Sequence, residues 1–448
     1  MQNLRQLYAR FLKNELIRRI VTNAGYLFSA TGLSAALSMI QSILAARLLG
    51  PASFGILGSI TQFTSVVNRF ASFRMNELVV RHVGHYHEEG DHQRAAAVFK
   101  LASILEIGGS LVALALIWWL APLGARFFAQ DSSLAYWFQL YGLIVLANVI
   151  FETSNGLLQI FDRFRDMAVI TVGQSLVTLT LIVIAFFAQA GLTAVLLAYM
   201  AGKILYSLSI SIVAVFQARR VWGAGWWRAP LSLLKSERRG LFTFAFSTNL
   251  SSMVSLVAKD SEVLWISAFL GPRQAGYYKT ALAITNILQL PISPLPRATF
   301  PELAREIARR NWENVKYVLR QGSRLAALYS LPVTFILIIF GKPIIAMTYG
   351  SEFLPTYPAL VILLLGFTFV NIFYWNRVAL ISLGRAVYPT LVNFAGMLLK
   401  VGAIFLLRPS TGSVFAALLV GYYLFTVGGA VGRVLLDVRD STQALETA

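Results

Sequence analysis

The stretch TNLSSMVSLVAKDSEVLWISAFLGPRQAG, residues 248–276, decides how the rest of the chain is read. It is apolar enough to cross a bilayer, yet Lys259, Asp260 and Glu262 sit near its middle. It leaves through the turn Leu270-Gly271-Pro272 to Gly276, and the same turn occurs earlier in the chain as Leu49-Gly50-Pro51 to Gly55. A duplicated turn and a charged cluster at membrane depth are the two features from which the reading proceeds.

Stretches of this kind recur along all 448 residues. The chain is 57% hydrophobic and 13% charged, about half the charge of an average soluble domain, and its mean hydropathy is +0.66. A helix needs about 20 apolar residues to cross a ~30 Å hydrocarbon core, whereas a membrane β-barrel shows ~10-residue alternating strands. The pattern therefore predicts an all-α polytopic membrane protein with about twelve spans: 22–47, 55–80, 95–121, 134–156, 167–188, 192–217, 240–269, 276–298, 317–340, 354–377, 386–407 and 413–435. No cysteine is present, which excludes disulfides, thiol catalysis and thiolate metal sites.

The net charge of +18 would point to nucleic acid in a soluble protein. Here its distribution follows membrane topology instead. With the N-terminus in the cytoplasm, 27 of the 38 Lys and Arg fall in inside segments and only five in outside turns. That asymmetry places both termini in the cytoplasm, offers basic segments to anionic membrane lipids and makes nucleic acid an unnecessary partner. Residues 1–21 read as a basic amphipathic segment on the membrane surface, not a removable signal peptide, because no short apolar core with a small-residue cleavage site follows.

The duplication extends beyond the turn. At the offset that superposes the two turns, Pro122 matches Pro343 and Asp131 matches Glu352; with the offset lengthened by two, Asn148 matches Asn371 and Gly173 matches Gly396. Two six-helix halves follow, 22–217 and 240–435, joined by a basic, Trp-rich linker at 218–239 and followed by a tail at 436–448. Six spans per half send both halves in from the same side, so the repeat is parallel.

Polar residues on spanning helices must face protein or water. Thr31, Ser34, Ser38 and Gln41 share one face of the first span, and the repeat carries that face onto Ser252, Ser255, Lys259 and Glu262 of the seventh. Helix–helix adhesion by small residues explains the first stripe as well as a lumen does. The second is charged, and charge at membrane depth marks a pathway unless Lys259 and Glu262 pair with each other. In the second span Gln62, Ser65, Arg69, Ser72 and Asn76 share a face, with Arg74 beside it; the matching face of the eighth carries Asn286, Ser293 and Arg297. Pro291, Pro294 and Pro296 break that helix, as a hinge for gating or as a static kink. Lys203 and Lys400 add further positive charge within spans. A set richer in Lys and Arg than in acids suits a phosphate or diphosphate. Histidines 82, 85, 87 and 92 read as a solvated loop, and neither a phosphate-binding loop nor a nucleophile elbow is present, so no cofactor is expected beyond a coupling H⁺ or Na⁺.

The run at 29–40, Ala46-Arg47-Leu48-Leu49-Gly50-Pro51-Ala52-Ser53-Phe54-Gly55, the basic turn Arg163-Phe164-Arg165 after Gly156-Leu157-Leu158-Gln159, and Leu380-Ile381-Ser382-Leu383-Gly384-Arg385 together resemble the polysaccharide-transporter branch of the multidrug/oligosaccharidyl-lipid/polysaccharide exporters. These are the Wzx-type oligosaccharide flippases, and the resemblance covers roughly residues 22–435. It implies a MATE-like pair of lobes forming a V around a central cavity. It also implies movement of a polyprenyl-diphosphate-linked glycan to the outer leaflet of a bacterial or archaeal plasma membrane by alternating access, for O-antigen, capsule or exopolysaccharide synthesis. A polysaccharide polymerase and a chain-length protein are the partners it implies. On this reading Arg69, Arg74 and Lys259 hold the diphosphate, with Lys203 and Lys400 as further candidates. Gln41, Asn76, Asp260, Glu262 and Arg297 line the lumen or take part in coupling. The alternatives are a multidrug or cation antiporter, disfavoured by the absence of Asp or Glu from residues 22–47, and a lipid II flippase, disfavoured by twelve spans where fourteen are usual. A membrane glycosyl polymerase would need a large outer loop that the sequence lacks.

Overall fold

In a computed structural model of the protein, residues 15–71, 75–235, 240 and 253–446 are described. Arg74, Ser252 and the start of the seventh span lie outside them. Among the described residues the regular elements are all helices. In chain order the α-helices are α1 (Glu15–Ala71), α2 (Met75–Glu88), α3 (His92–Gly124), α4 (Ala135–Gly142), α5 (Ile144–Ala147), α6 (Phe151–Ile160), α7 (Phe164–Phe187) and α8 (Leu192–Trp222). They continue as α9 (Glu262–Leu270), α10 (Pro272–Gln289), α11 (Leu295–Ala308), α12 (Trp312–Thr348), α13 (Tyr357–Ile372), α14 (Asn376–Ser382), α15 (Tyr388–Leu407) and α16 (Gly412–Glu446). Among the described residues nine helical runs are long and apolar enough to cross a membrane. The first, Phe28–Ala71 within α1, holds the greater part of the first two predicted spans, separated at Gly50, the one residue of α1 with non-helical backbone angles. Large apolar side chains such as Phe187 and Leu406 stand 80% and 84% exposed, as lipid-facing residues of a membrane helix must.

Both copies of the turn have one backbone geometry. Gly50 adopts φ 69°, ψ 171° and Gly271 adopts φ 86°, ψ 169°, a region that residues with a Cβ essentially do not enter. The following prolines, Pro51 and Pro272, occupy the first helical position, where no N–H is needed. The second glycine of each motif is required by the other copy. A Cβ on Gly55 would lie 1.8 Å from the Pro272 carbonyl oxygen, and one on Gly276 would lie 2.0 Å from that of Pro51. The turns thus pack back to back through their backbones. The reciprocity continues around them: Gly50 faces the Glu352 side chain and Gly271 faces Gln130, near the positions Asp131 and Glu352 that the repeat pairs. Asp131 itself accepts from the N–H and the hydroxyl of Ser133 at 2.9 and 2.7 Å, which hold its carboxyl below the ordinary range. Because the obstacle at Gly55 is backbone, Gly55→Ala is expected to destabilise the protein by about 3 kcal/mol, the upper end for overpacking. Gly108→Ala, with nothing within 4 Å of the added carbon, should be neutral or slightly stabilising. Thermal unfolding in detergent compares the two, and equal melting points would refute the contact.

A second feature of the repeat lies in the fourth and tenth spans. Each is interrupted for three residues, 148–150 and 373–375, beside the matched Asn148 and Asn371. Asn148 Oδ1 accepts from the Ser207 hydroxyl. Asn371 Nδ2 donates to the Leu288 carbonyl at 3.0 Å and to the Ser330 hydroxyl at 3.3 Å. Of these bonds one answers a backbone group, the Leu288 carbonyl near the end of α10, which at membrane depth needs such a partner. In the first half, the buried Glu106 carboxylate accepts the N–H groups of Glu152 and Thr153 at 2.7 and 2.9 Å, and so caps the restarted helix α6.

The chain forms two compact units, each assembled from separate stretches of sequence. One comprises 1–48, 64–122 and 135–250, the other 49–63, 123–134 and 251–448. In the first, the linker tryptophans Trp222 and Trp226 pack edge-on against Phe99 of α3 at 5.8 and 5.1 Å. The second contains both copies of the turn.

Candidate functional site

The seventh span enters its charged stretch through a π-helical turn, Leu256–Asp260. Such turns hold one residue more than an α turn and break its hydrogen-bond ladder, often at functional sites. Side chains fill the gap: Lys400 donates to the Ala258 carbonyl, Gln62 to that of Asp260, and the Ser261 hydroxyl to that of Val257 at 3.3 Å. The extra residue also shifts the phase of everything beyond it. Lys259 and Glu262, which a 3.6-residue period places on one face, are therefore separated: Glu262 is buried and Lys259 is exposed.

The partner of Glu262 is Lys400 of α15, not Lys259. The ammonium meets Glu262 Oε1, and the two side chains are only 1% and 2% exposed. The Tyr278 hydroxyl donates to Glu262 Oε2 at 3.1 Å. This closes the alternative of a local Lys259–Glu262 bridge and makes Lys400 an internally neutralised cation. Asp260 lies within electrostatic reach of Tyr422 and Tyr423, and the Tyr422 hydroxyl donates to Asn393 Oδ1 at 2.9 Å.

Lys279 also belongs to this region. Its ammonium sits 4.1 Å from the Phe54 ring centroid, and its side chain fills the space that the missing Cβ of Gly58 leaves. Gly58 is the repeat counterpart of Lys279, one turn beyond the Gly55–Gly276 contact. From the sequence Lys279 receives no role; the register of the repeat, which pairs it with Gly58, was the signal that could have found it.

Depth distinguishes the remaining cations. Lys259 lies eleven residues before the end of α9, about 16 Å at 1.5 Å per residue, which is near the middle of a ~30 Å core. Arg69 lies eighteen residues beyond Pro51, about 27 Å of helix, and is half-buried near the end of α1. Lys203 is exposed midway along α8. Lys259 makes no ion pair among the described residues, and a charged group left exposed at that depth needs water or a polar ligand beside it.

The other predicted residues are placed as follows. Gln41 is buried and donates to the Ser175 carbonyl of α7 at 2.8 Å, with Ser34 donating to Thr171 O at 3.3 Å; both act between helices. Asn76 is at the start of α2, with its backbone against Gly156 of α6. Arg297 is exposed in the first turn of α11, while Pro291 and Pro294 occupy the break between α10 and α11. Among the described residues no group of three or more His, Asp or Glu is placed to hold a metal.

A family model described as "Polysaccharide biosynthesis protein" matches residues 43–358. Inner membrane protein YghQ of Escherichia coli (strain K12) is 24% identical over 347 residues, 76% of this chain and 95% of its own length. Teichuronic acid biosynthesis protein TuaB of Bacillus subtilis (strain 168) is 24% identical over 70% of this chain and 63% of its own. The probable low-salt glycan biosynthesis flippase Agl15 of Haloferax volcanii is 23% identical over 73% of this chain and 64% of its own. Among solved structures, an inward-facing multidrug resistance MATE family transporter of the MOP superfamily aligns with a TM-score of 0.71 at 15% identity, over 92% of this chain and 96% of its own. The lipid II flippase MurJ in an inward closed conformation aligns with a TM-score of 0.70 at 15% identity, over 93% and 90%. At that identity the structures speak for the fold, which is the MATE-like one.

Proposed function

This chain belongs to the polysaccharide biosynthesis protein family, and from that premise we propose that it is a flippase for a polyprenyl-diphosphate-linked oligosaccharide. It is a multi-pass membrane protein and a transporter, not an enzyme. On our reading the cargo moves from the inner to the outer leaflet of a bacterial or archaeal plasma membrane by alternating access, with both termini cytoplasmic, and supplies cell-surface polysaccharide synthesis.

The observation that carries this reading is the disposition of charge in the seventh span. Glu262 is satisfied by Lys400 and Tyr278, so the acid is spent internally and the Lys259 ammonium stands exposed at mid-depth. A diphosphate is the chemical match for such a cation; a lipophilic cation is not. Arg69, Arg74 and Lys203 remain further candidates for contact with phosphate along the transport path. The helix break at Pro291 and Pro294 supplies the gating hinge. Asp260, beside Tyr422 and Tyr423, is the acid we assign to a coupling H⁺ or Na⁺. The relatives named for teichuronic acid and glycan biosynthesis support a glycan cargo, and a polysaccharide polymerase and chain-length protein are its expected partners.

The test is leaflet transfer in vesicles reconstituted with the full chain. A fluorescent diphosphate-linked glycolipid is expected to cross at least about tenfold faster than in protein-free vesicles, while its neutral glycosyl-polyprenol counterpart does not. Efflux of an organic cation without any glycolipid transfer would sink the proposal in favour of antiport.

A further inference from the structure

The second compact unit contains a cavity of ≈ 540 Å³ between the start of α12, the end of α16 and the break at 373–375. Both helices present a regular face to it: Lys316, Leu319, Arg320 and Ser323 on α12, and Leu435, Val438, Arg439 and Thr442 on α16. These spacings of three and four residues are those of one helix side. The floor is a packed core that includes Leu319, Trp375 and Val438, and the Trp375 indole N–H donates to the Ser323 hydroxyl at 2.7 Å.

The charge on this wall has one sign. Among the described residues no acid lines the cavity. Lys316 shares its charge with Glu313 at 3.6 Å, but Arg320 and Arg439 make no ion pair among the described residues. The neighbouring acids of α16 lie off the cavity face. Asp437 is held by Arg385 and Arg433 at 3.3 and 2.9 Å, and Asp440 is exposed.

The wall also has a polarity gradient along the helix axes. On α16 the apolar run reaches Gly432; Arg433 is held by Asp437 off the cavity face, and on that face Leu435 is followed one turn later by Arg439. On α12 the apolar run begins at Leu325, so Ser323, Arg320 and Lys316 step outward from it. Apolar wall on the bilayer side and cations beyond it is the arrangement that an anionic amphiphile at the membrane interface requires.

We propose that this cavity seats the phosphate-bearing headgroup of a membrane lipid. The phosphate lies on Arg320 and Arg439, whose planar donors suit it, and the first chain carbons lie against Leu435 and Phe373. The phosphate comes from an anionic phospholipid of the bilayer or from a polyprenyl phosphate; the chemistry is the same and the experiment separates the sources.

The experiment is native mass spectrometry of the purified full chain exposed in turn to phosphatidylglycerol, phosphatidylcholine and a polyprenyl phosphate. Retention of phosphatidylglycerol or of the polyprenyl phosphate is expected to exceed that of phosphatidylcholine several-fold and to fall about tenfold in the double variant Arg320→Gln, Arg439→Gln. Whichever of the two anionic lipids responds identifies the source. A second variant, Arg310→Gln, Arg324→Gln, removes the same charge from exposed positions outside the cavity and should retain lipid as the parent does. Equal retention of phosphatidylcholine, unchanged retention in the first variant, or an equal loss in the second would each overturn the proposal. Melting points of the variants exclude misfolding as the cause. The readout is retention and not leaflet transfer, so the site stands or falls apart from the transport reading.

Discussion

Lys400→Ala is expected to cost the protein about 3–5 kcal/mol of stability, the usual penalty for leaving one member of a buried ion pair without its partner. The Glu262 carboxylate would keep the Tyr278 hydroxyl and lose its only countercharge among the described residues, in a site closed to solvent. Removing the acid instead, as in Glu262→Gln, leaves the ammonium without a countercharge, with the Ala258 carbonyl and the amide oxygen as its acceptors, and should cost a similar amount. The double variant Glu262→Leu, Lys400→Met replaces both charges by apolar groups of comparable volume and should recover most of the loss, because the desolvation penalty of both ions disappears with them. Reversible unfolding in detergent–denaturant mixtures of the parent, Glu262→Leu, Lys400→Met and the double variant gives the four corners of the cycle. The prediction is a coupling of several kcal/mol between positions 262 and 400 and none between 262 and 259. Additive losses at 262 and 400 would show that the pair is not formed.

Lys259→Ala is expected to act on transport and not on folding. The side chain is exposed and holds no ion pair among the described residues. Its removal should shift stability no more than an ordinary surface substitution does, about 0.5 kcal/mol in either direction. A charge-assisted hydrogen bond to phosphate is worth roughly 1.5–3 kcal/mol, and about 1.4 kcal/mol is a factor of ten in rate. Glycolipid transfer should therefore slow by about ten- to a hundredfold. Lys259→Arg keeps the charge and should keep most of the rate. Adding Arg69→Ala should lower it further. An unchanged transfer rate in the Arg69→Ala, Lys259→Ala protein, with normal folding, removes the diphosphate role from both.

The two predictions rest on residues that read differently along the chain and in space. Periodicity marks Lys259 and Glu262 as neighbours on a helix face, and that inference assumes an unbroken 3.6-residue period. The π turn at Leu256–Asp260 adds one residue and carries the two side chains to different sides. No local signal marks it, because the carbonyls it frees are satisfied by Gln62 and Lys400, residues far away in the chain. The same limit applies to Gln41. A polar residue on a spanning helix must find a partner, but whether that is a lumen or the Ser175 carbonyl of a neighbouring helix depends on packing.

What the chain by itself determined is whatever is encoded locally or by repetition. Hydropathy specified membrane helices, because apolar length against bilayer thickness is a property of each segment alone. Self-similarity between the halves specified the duplicated turn, its Gly-only backbone angle, and the paired asparagines that stand beside both helix breaks. The prolines at 291 and 294 specified where the eighth span is broken, since a missing N–H needs no tertiary context. Only the tertiary structure decided which charge answers which. A buried carboxylate takes whatever cation the fold brings to it, and here the fold brings Lys400 from 138 residues away, with Lys259, three residues from the acid, left exposed.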